Sequence, residues 1–225
     1  MNRLRTTSIA LLLAAAVGAS GAARAADLSW SALGGYQQGA GLRVFGTLSR
    51  LTPAIPLGIQ LGFGYTMVDP GNPAAARRVF INDNTDGTPE ESGHVWDLRA
   101  DLVWMLGRVS FLDEVGVFFG PRYSMFTGRF RYVGGNEDWL VEQSVWGIGA
   151  GARAELKLNP RWSLAGALGL DWFPYSSLYS HDTTYSSTGY VVNGHHNYGW
   201  SDADRAINQP KLVPSLLLGV AWRPY

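Results

Sequence analysis

The chain has 225 residues, a length that suits one all-β domain, with eighteen basic residues, eighteen acidic residues and no cysteine. Because there is no basic excess to neutralise phosphates, nucleic acid is not an expected partner. Disulfides contribute nothing, and after the N-terminus no segment reaches the roughly 18 unbroken apolar residues of a membrane helix.

Residues 1–25 have the features of a secretory signal peptide. Two arginines give a basic start, residues 9–17 form an uncharged apolar run, and the Ala-Arg-Ala at 23–25 fits a small-x-small cleavage site. The apolar run is too short to cross a bilayer. We therefore expect cleavage and a mature chain of residues 26–225. Because the leader removes three arginines and no acid, fifteen basic residues then face eighteen acids, a formal charge of −3.

The mature chain is predicted to form eight strands, because apolar residues alternate with small or polar ones over eight segments separated by turn residues. In the fourth segment, large apolar residues dominate the even positions, whereas Asp97, Arg99 and Asp101 occupy odd ones. The alternation is weaker in the first two segments, because Leu33 and Phe45 fall on the small and polar face. In chain order the segments are 28–36, 42–51, 57–68, 94–106, 115–133, 138–158, 162–175 and 206–224.

The length of each connection depends on whether it follows an odd-numbered or an even-numbered segment. The two long ones, 69–93 and 176–205, each follow an odd-numbered segment, and every connection after an even-numbered segment is short. An up-and-down barrel with both termini at one end needs that sorting, since its long loops then share the other end. The predicted fold class is therefore all-β, an eight-stranded antiparallel up-and-down transmembrane β-barrel with long surface loops 69–93 and 176–205.

The composition of the two faces favours a membrane barrel over a soluble, lipocalin-like barrel whose apolar face lines a cavity. The polar face consists of Gly, Ala and Ser around a few charges, which suits the narrow interior of an eight-stranded barrel. The apolar face carries aromatic residues near both edges, as in interfacial girdles. Near the short turns these are Trp30, Trp104, Trp162 and Trp222, and near the long loops they are Tyr36, Tyr65, Trp96, Tyr123, Trp146 and Trp172.

Charged residues on the inward face of strands four to seven are the first candidate functional group. Buried charges must pair, because an unpaired one costs several kcal/mol. Two interpretations remain open: a salt-bridge network that fixes register and closes the lumen, and a narrow or gated ion path. The residues are Asp97, Arg99, Asp101, Arg122, Arg153, Glu155 and Asp171.

Two groups near the long connections are further candidates. His181-Asp182 and His195-His196 could bind zinc or copper, but loop histidines are commonly just solvated, and no metal or cofactor is predicted. Arg129 and Arg131 lie in a hairpin expected to rise above the bilayer. They could contact lipopolysaccharide phosphates or a surface partner, and a solvated hairpin stem is the alternative.

On this pattern the whole mature chain resembles the small eight-stranded outer-membrane barrels of Gram-negative bacteria, the group of outer-membrane proteins A, X and W. Such proteins usually end in an aromatic residue that the barrel-assembly machinery reads, and this chain ends in Trp222-Arg223-Pro224-Tyr225. The resemblance implies membrane anchoring, cell-surface contacts or, in the outer-membrane protein W type, passage of small apolar molecules. The His-x-Ser pair of the lipid A deacylase family is absent from this chain, and no catalytic residue is predicted.

The predicted function is a non-enzymatic outer-membrane β-barrel with a structural or surface-interaction role, its interior plugged by the charged network. The alternative is a small porin-like channel or transporter for small or apolar solutes. The expected partners are outer-membrane lipid and lipopolysaccharide, with the assembly machinery during insertion.

Overall fold

The structure is a computed structural model that describes residues 27–51, 55–82, 86–135, 137–194 and 197–224. The predicted signal peptide, His195, His196 and the terminal Tyr225 lie outside the described residues.

Eight long strands form a closed antiparallel ring. Strands β1 to β7 pair in chain order, and the last strand, β11, lies between β7 and β1. At this closing seam Trp30 pairs with Trp222 and Gln37 pairs with Ser215. A closed ring leaves no unpaired sheet edge within lipid, and the predicted fold class is confirmed. The strands are β1 (Asp27–Gln37), β2 (Ala40–Ser49), β3 (Leu57–Val68), β4 (Thr88–Val109), β5 (Leu112–Val133), β6 (Asp138–Lys157), β7 (Trp162–Trp172) and β11 (Leu212–Trp222).

Segment 57–68 has the predicted bounds, and other segments differ from the prediction for identifiable reasons. Strand β4 starts at Thr88 rather than at 94, because it pairs with the outer part of β5 as far as Val133. Both strands also continue at the inner end to the pair Val109–Leu112, so each has 22 residues. Strand β7 ends at Trp172 rather than at 175, just before Pro174, which cannot donate a ladder hydrogen bond. Strand β11 begins at Leu212 rather than at 206, because a helix ends at Ala206 and the irregular residues 207–211, which include Pro210, follow it.

The two segments predicted as long surface loops contain regular structure. Helix α1 begins after Asn72, whose side chain accepts a hydrogen bond from the Ala75 backbone N–H at 2.9 Å. Proline follows at the first helical position, where its missing N–H costs nothing. Neither described helix, of eight and seven residues, is long and apolar enough to cross a membrane. The added elements are α1 (Pro73–Phe80), β8 (Leu178–Ser180), β9 (Thr184–Tyr185), β10 (Val191–Val192) and α2 (Trp200–Ala206).

The two faces of the barrel wall differ sharply in exposure. Large apolar side chains cover the outer surface, with Leu168 58% exposed and Leu218 68% exposed. A continuous apolar surface of this kind is the lipid-facing band of a transmembrane barrel. Leu33 and Phe45 instead face the interior, where each is 4% exposed.

Candidate functional site

The inward side chains fill the barrel in layers along its axis. Strand β2 shows their order, because Arg43, Phe45 and Thr47 point inward in turn from the outer end to the inner end. Strand β11 repeats the order with Ser215, Leu217 and then Arg223, which directly follows the strand. We name the three successive layers the charge layer, the apolar layer and the base cluster.

The charge layer consists of three guanidinium groups and three carboxylates, and Asp171 is its hub. Its Oδ2 atom accepts a hydrogen bond from Arg99 Nη2 at 2.8 Å, and its Oδ1 atom accepts one from Arg122 Nε at 2.8 Å. Arg43 Nη2 also approaches Asp171 Oδ2, at 3.4 Å. Arg122 is fully buried, and its Nη1 donates to Asp101 Oδ1 at 2.7 Å. The members are Arg43, Asp97, Arg99, Asp101, Arg122 and Asp171.

Two glycines of the barrel wall make room for these charges. A Cβ atom at Gly149 would lie 1.9 Å from Asp171 Oδ1, and one at Gly64 would lie 2.0 Å from Asp97 Oδ2. Both distances are far inside van der Waals contact. The charge layer therefore requires glycine at these positions, which accounts for small residues on the inward faces of β3 and β6.

The apolar layer lies on the inner side of the charge layer. It is a buried cluster that joins Leu33 and Phe45 to inward residues of β7 and β11. The ring of Phe118, which is also buried, lies 6.0 Å from the Arg122 guanidinium carbon. The cluster consists of Leu33, Phe45, Ala165, Leu217 and Ala221.

The base cluster lies at the inner end of the barrel. Arg153 forms an ion pair with Glu155, and its Nη1 donates to Thr47 Oγ1 at 2.9 Å. Arg223 Nη2 donates to Glu155 Oε2 at 2.7 Å and to Glu114 Oε2 at 2.9 Å. The last described turn of the chain is thereby tied to β5 and β6.

The structure divides the seven predicted interior charges between two of these layers. Asp97, Arg99, Asp101, Arg122 and Asp171 meet in the charge layer, whereas Arg153 and Glu155 belong to the base cluster. Sequence reasoning missed Arg43, Glu114 and Arg223. The sequence did contain a signal for Arg43. It is an alternate residue of β2 with Phe45 and Thr47, so all three side chains are expected on the same side of the strand.

The outer end of the barrel is covered by a second hydrophobic core, which we call the outer cap. It is built from both helices, the short strands β8 and β9, and the outer ends of β3, β4, β5 and β6. Its members come from all of the long outer segments and are at most 7% exposed. They are Val68, Ala76, Val79, Phe80, Val95, Phe126, Phe130, Tyr132, Trp139, Val141, Leu178, Tyr185, Ala203, Ala206 and Ile207.

Hydrogen bonds tie the outer connections to one another across the mouth. The Asn72 backbone N–H donates to Ala206 O at 2.9 Å, and that of Asn208 donates to Pro70 O at 3.0 Å. Gln38, in the connection between β1 and β2, donates from Nε2 to Asn208 O at 3.0 Å. Three connections far apart in sequence therefore meet at one point above the lumen.

Arg77 of α1 attaches this helix to the hairpin between β5 and β6. It is 3% exposed, forms an ion pair with Glu137 and lies over the Tyr132 ring at 4.5 Å. Burial raises the pKa of the Tyr132 phenol above its usual range, partly offset by the Arg77 charge.

Small spaces remain between the layers. A cavity of about 10 Å³ lies beside the apolar layer, and one of about 20 Å³ lies between the charge layer and the outer cap. Spaces of this size admit about one water molecule each.

The predicted girdle residues lie on the outer surface at the two ends of the barrel. At the inner end Trp30, Trp222 and Trp162 are neighbours in one row, and Trp104 pairs with Leu57. At the outer end the rings of Tyr65 and Trp96 are 4.6 Å apart, and those of Tyr123 and Trp146 are 4.9 Å apart. Tyr36 pairs with Leu216, and Trp172 pairs with both Leu212 and Ile148.

The remaining candidate residues lie apart from the barrel interior. Arg129 forms a two-pronged ion pair with Asp138, at 2.9 and 2.5 Å, and Arg131 lies 4.0 Å from Glu90. Both arginine side chains are more than half exposed. The hydrogen bond from Arg129 holds the pKa of Asp138 below its usual range. His181 is 87% exposed beside Asp182, and within the described residues no group of three or more His, Asp or Glu side chains is placed to hold a metal ion.

Among the comparisons with known proteins, a solved structure from Thermus thermophilus supports an outer-membrane barrel. No family model and no curated protein matches the chain. Among solved structures, a major outer membrane protein from Thermus thermophilus is 26% identical, with a TM-score of 0.73 over 89% of this chain and 100% of that one. CarO of Acinetobacter baumannii is 13% identical, with a TM-score of 0.47 over 88% and 97% of the two chains. Ail, the attachment invasion locus protein of Yersinia pestis, is 10% identical, with a TM-score of 0.43 over 88% and 97%.

Proposed function

We propose that this chain, an eight-stranded outer-membrane β-barrel, is a closed, non-conducting and non-enzymatic barrel that presents its outer cap at the cell surface. The observation that carries the proposal is the charge layer, whose six groups join four strands across the lumen. The apolar layer and the outer cap close the lumen on either side of it.

Physical chemistry supports a seal in the charge layer. An ion entering it would separate guanidinium and carboxylate groups that are at most 5% exposed. Each group that loses its partner inside the protein costs several kcal/mol. A hydrated solute would also have to displace the apolar layer, where Leu217 is 1% exposed. The segments of the outer cap would have to separate as well, because they lie directly above the mouth of the barrel and hydrogen bonds hold them together.

A vesicle-swelling assay tests the closed state. Purified protein is reconstituted into liposomes that are placed in isotonic solutions of small sugars and amino acids. We expect swelling no faster than in protein-free liposomes. Liposomes that contain an open porin serve as the positive control for swelling. Swelling by the unmodified protein would favour the channel alternative.

The surface role rests on side chains that the outer cap leaves exposed. Tyr175 is 67% exposed, Tyr179 is 51% exposed and Tyr190 is 66% exposed, all within or next to the last long connection. Tyrosine offers a large contact area with few rotatable bonds, and it is enriched at protein interfaces. These side chains are the part of the surface that we assign to contacts with a partner.

Lipopolysaccharide is the second proposed partner, through Arg129 and Arg131. Arg131 is the more available cation, because its separation from Glu90 is 4.0 Å whereas Arg129 has two short contacts with Asp138. Arg131→Gln is expected to reduce the thermal stabilisation that added lipopolysaccharide gives. Arg50→Gln is the matched control, since Arg50 is also exposed and is ion-paired with Asp27 at the inner end. An equal effect of both variants would rule out a specific contact.

The non-enzymatic part of the proposal is tested separately. Lipid A from cells that express the protein is compared by mass spectrometry with lipid A from cells that do not. We expect identical acyl and phosphate patterns, and a reproducible change would assign the protein a lipid-modifying activity.

A further inference from the structure

The cavity between the charge layer and the outer cap is lined by seven polar and four apolar residues. Two strands contribute Gln37 and Ser124 from above the charge layer, and Arg43 reaches the cavity from within that layer. Half-buried Gln38 lies at its outer rim. The complete lining is Gln37, Gln38, Arg43, Thr66, Val95, Asp97, Ser124, Asp171, Phe173, Pro210 and Val213.

Three buried polar atoms at this cavity have no hydrogen-bond partner among the described protein residues: Arg43 Nε, Gln37 Oε1 and Ser124 Oγ. The side chains that carry them belong to residues only 4%, 2% and 1% exposed. Arg43 Nε lies 3.6 Å from Asp97 Oδ1, which is an ion-pair distance but too long for a hydrogen bond. Since buried polar groups in proteins are nearly always hydrogen-bonded, these three atoms point to a ligand in the cavity that their residues line.

Size and charge decide which ligand fits. The volume of about 20 Å³ admits one water-sized molecule and excludes a carboxylate or a sugar. The charge layer holds three guanidinium groups and three carboxylates, so its formal charge is zero. An ion of either sign would lose its hydration without a net opposite charge to compensate. Water accepts from Arg43 Nε, donates to Gln37 Oε1 and does either with the Ser124 hydroxyl.

We propose that this cavity is a built site for one ordered water molecule, bound to Arg43 Nε, Gln37 Oε1 and Ser124 Oγ. The inference rests on the proposed closed barrel and deepens it, because it names the molecule that the interior retains and excludes ions from the same place. The water completes the outer side of the charge layer.

Crystals of the unmodified protein test the site directly. One set is left untreated, and matched sets are soaked in sodium bromide and in rubidium chloride for anomalous diffraction. We expect an oxygen-sized density peak within hydrogen-bond distance of all three atoms, and no bromide or rubidium peak in the cavity. A cavity without density, or one occupied by either ion, would overturn the proposal.

A pair of serine variants tests the assigned geometry. Ser124→Ala removes one partner and is expected to weaken or abolish the density peak. Ser29→Ala makes the same change at another inward, buried position that does not line the cavity, and it should leave the peak intact. A peak unchanged in Ser124→Ala would contradict the assignment. Solute passage by the unmodified protein would refute the closed barrel, whereas an empty cavity in a barrel that excludes solutes would refute the water site alone.

Discussion

Replacing the hub of the charge layer, Asp171→Asn, is expected to destabilise the barrel strongly. Asparagine keeps the shape of the side chain but removes its charge and one of its two acceptor oxygens. Three guanidinium groups would then face two carboxylates inside the barrel. The hydrogen bonds from Arg99 and Arg122 are both 2.8 Å long, and a bond to a charged group contributes about 1.5–3 kcal/mol. Breaking a buried ion pair costs about 3–5 kcal/mol, which is the loss we expect in the free energy of unfolding.

The assay is denaturant unfolding in lipid vesicles, followed by the fluorescence of the nine tryptophans. Asp27→Asn is the matched control, because Asp27 pairs with Arg50 in an exposed contact that contributes less than about 1 kcal/mol. The double variant Asp171→Asn with Arg43→Gln restores the charge balance and should recover part of the loss. If Asp171→Asn costs no more than Asp27→Asn, the charge layer does not stabilise the barrel and the reasoning fails.

Three further predictions follow from other parts of the molecule. Leu168→Arg and Ala150→Arg, on the lipid-facing surface, should each cost about 2–4 kcal/mol in the same unfolding assay, and tolerance of both would contradict a membrane barrel in this register. Arg77→Met should leave Glu137 without its ion pair and weaken the outer cap by about 2 kcal/mol. Hydrogen exchange should therefore become faster in α1 but not in β7. An equal change in α1 and β7 would contradict the role of Arg77. The Gly199 backbone N–H and Arg205 lower the pKa of Asp202, so its contribution to α2 should persist from neutral pH down to the ordinary aspartate range and disappear below it. Hydrogen exchange in α2 should lose this acid dependence in Asp202→Ala, and an identical pH profile in both proteins would show that Asp202 is not the responsible group.

The strands could be predicted because alternation with period two follows directly from backbone geometry. Which residues of the first two strands face the interior could not be predicted in the same way. The interior was expected to be polar or small, but Leu33 and Phe45 lie in it. An apolar side chain is excluded from water equally well by lipid and by a packed lumen, and composition does not distinguish the two. The spacing along the strand does distinguish them. Arg43, Phe45 and Thr47 are alternate residues of β2, so all three point to the same, inward side.

The outer cap was less accessible to sequence reasoning. Asn72-Pro73 is a local signal for the start of a helix, and it could have placed α1. The bonds that join Asn72 to Ala206 and Gln38 to Asn208 link residues more than a hundred positions apart. Such pairings depend on the closed barrel, which brings its outer connections together, so no local sequence pattern predicts them.

The most direct test of the closed barrel is the current through a planar lipid bilayer that contains the unmodified protein. We predict no stable conductance steps at any applied voltage, because the charge layer, the apolar layer and the outer cap all lie across the lumen. Stable open events in the unmodified protein, abolished by Arg122→Ala, would contradict the account and identify the charge layer as an ion path.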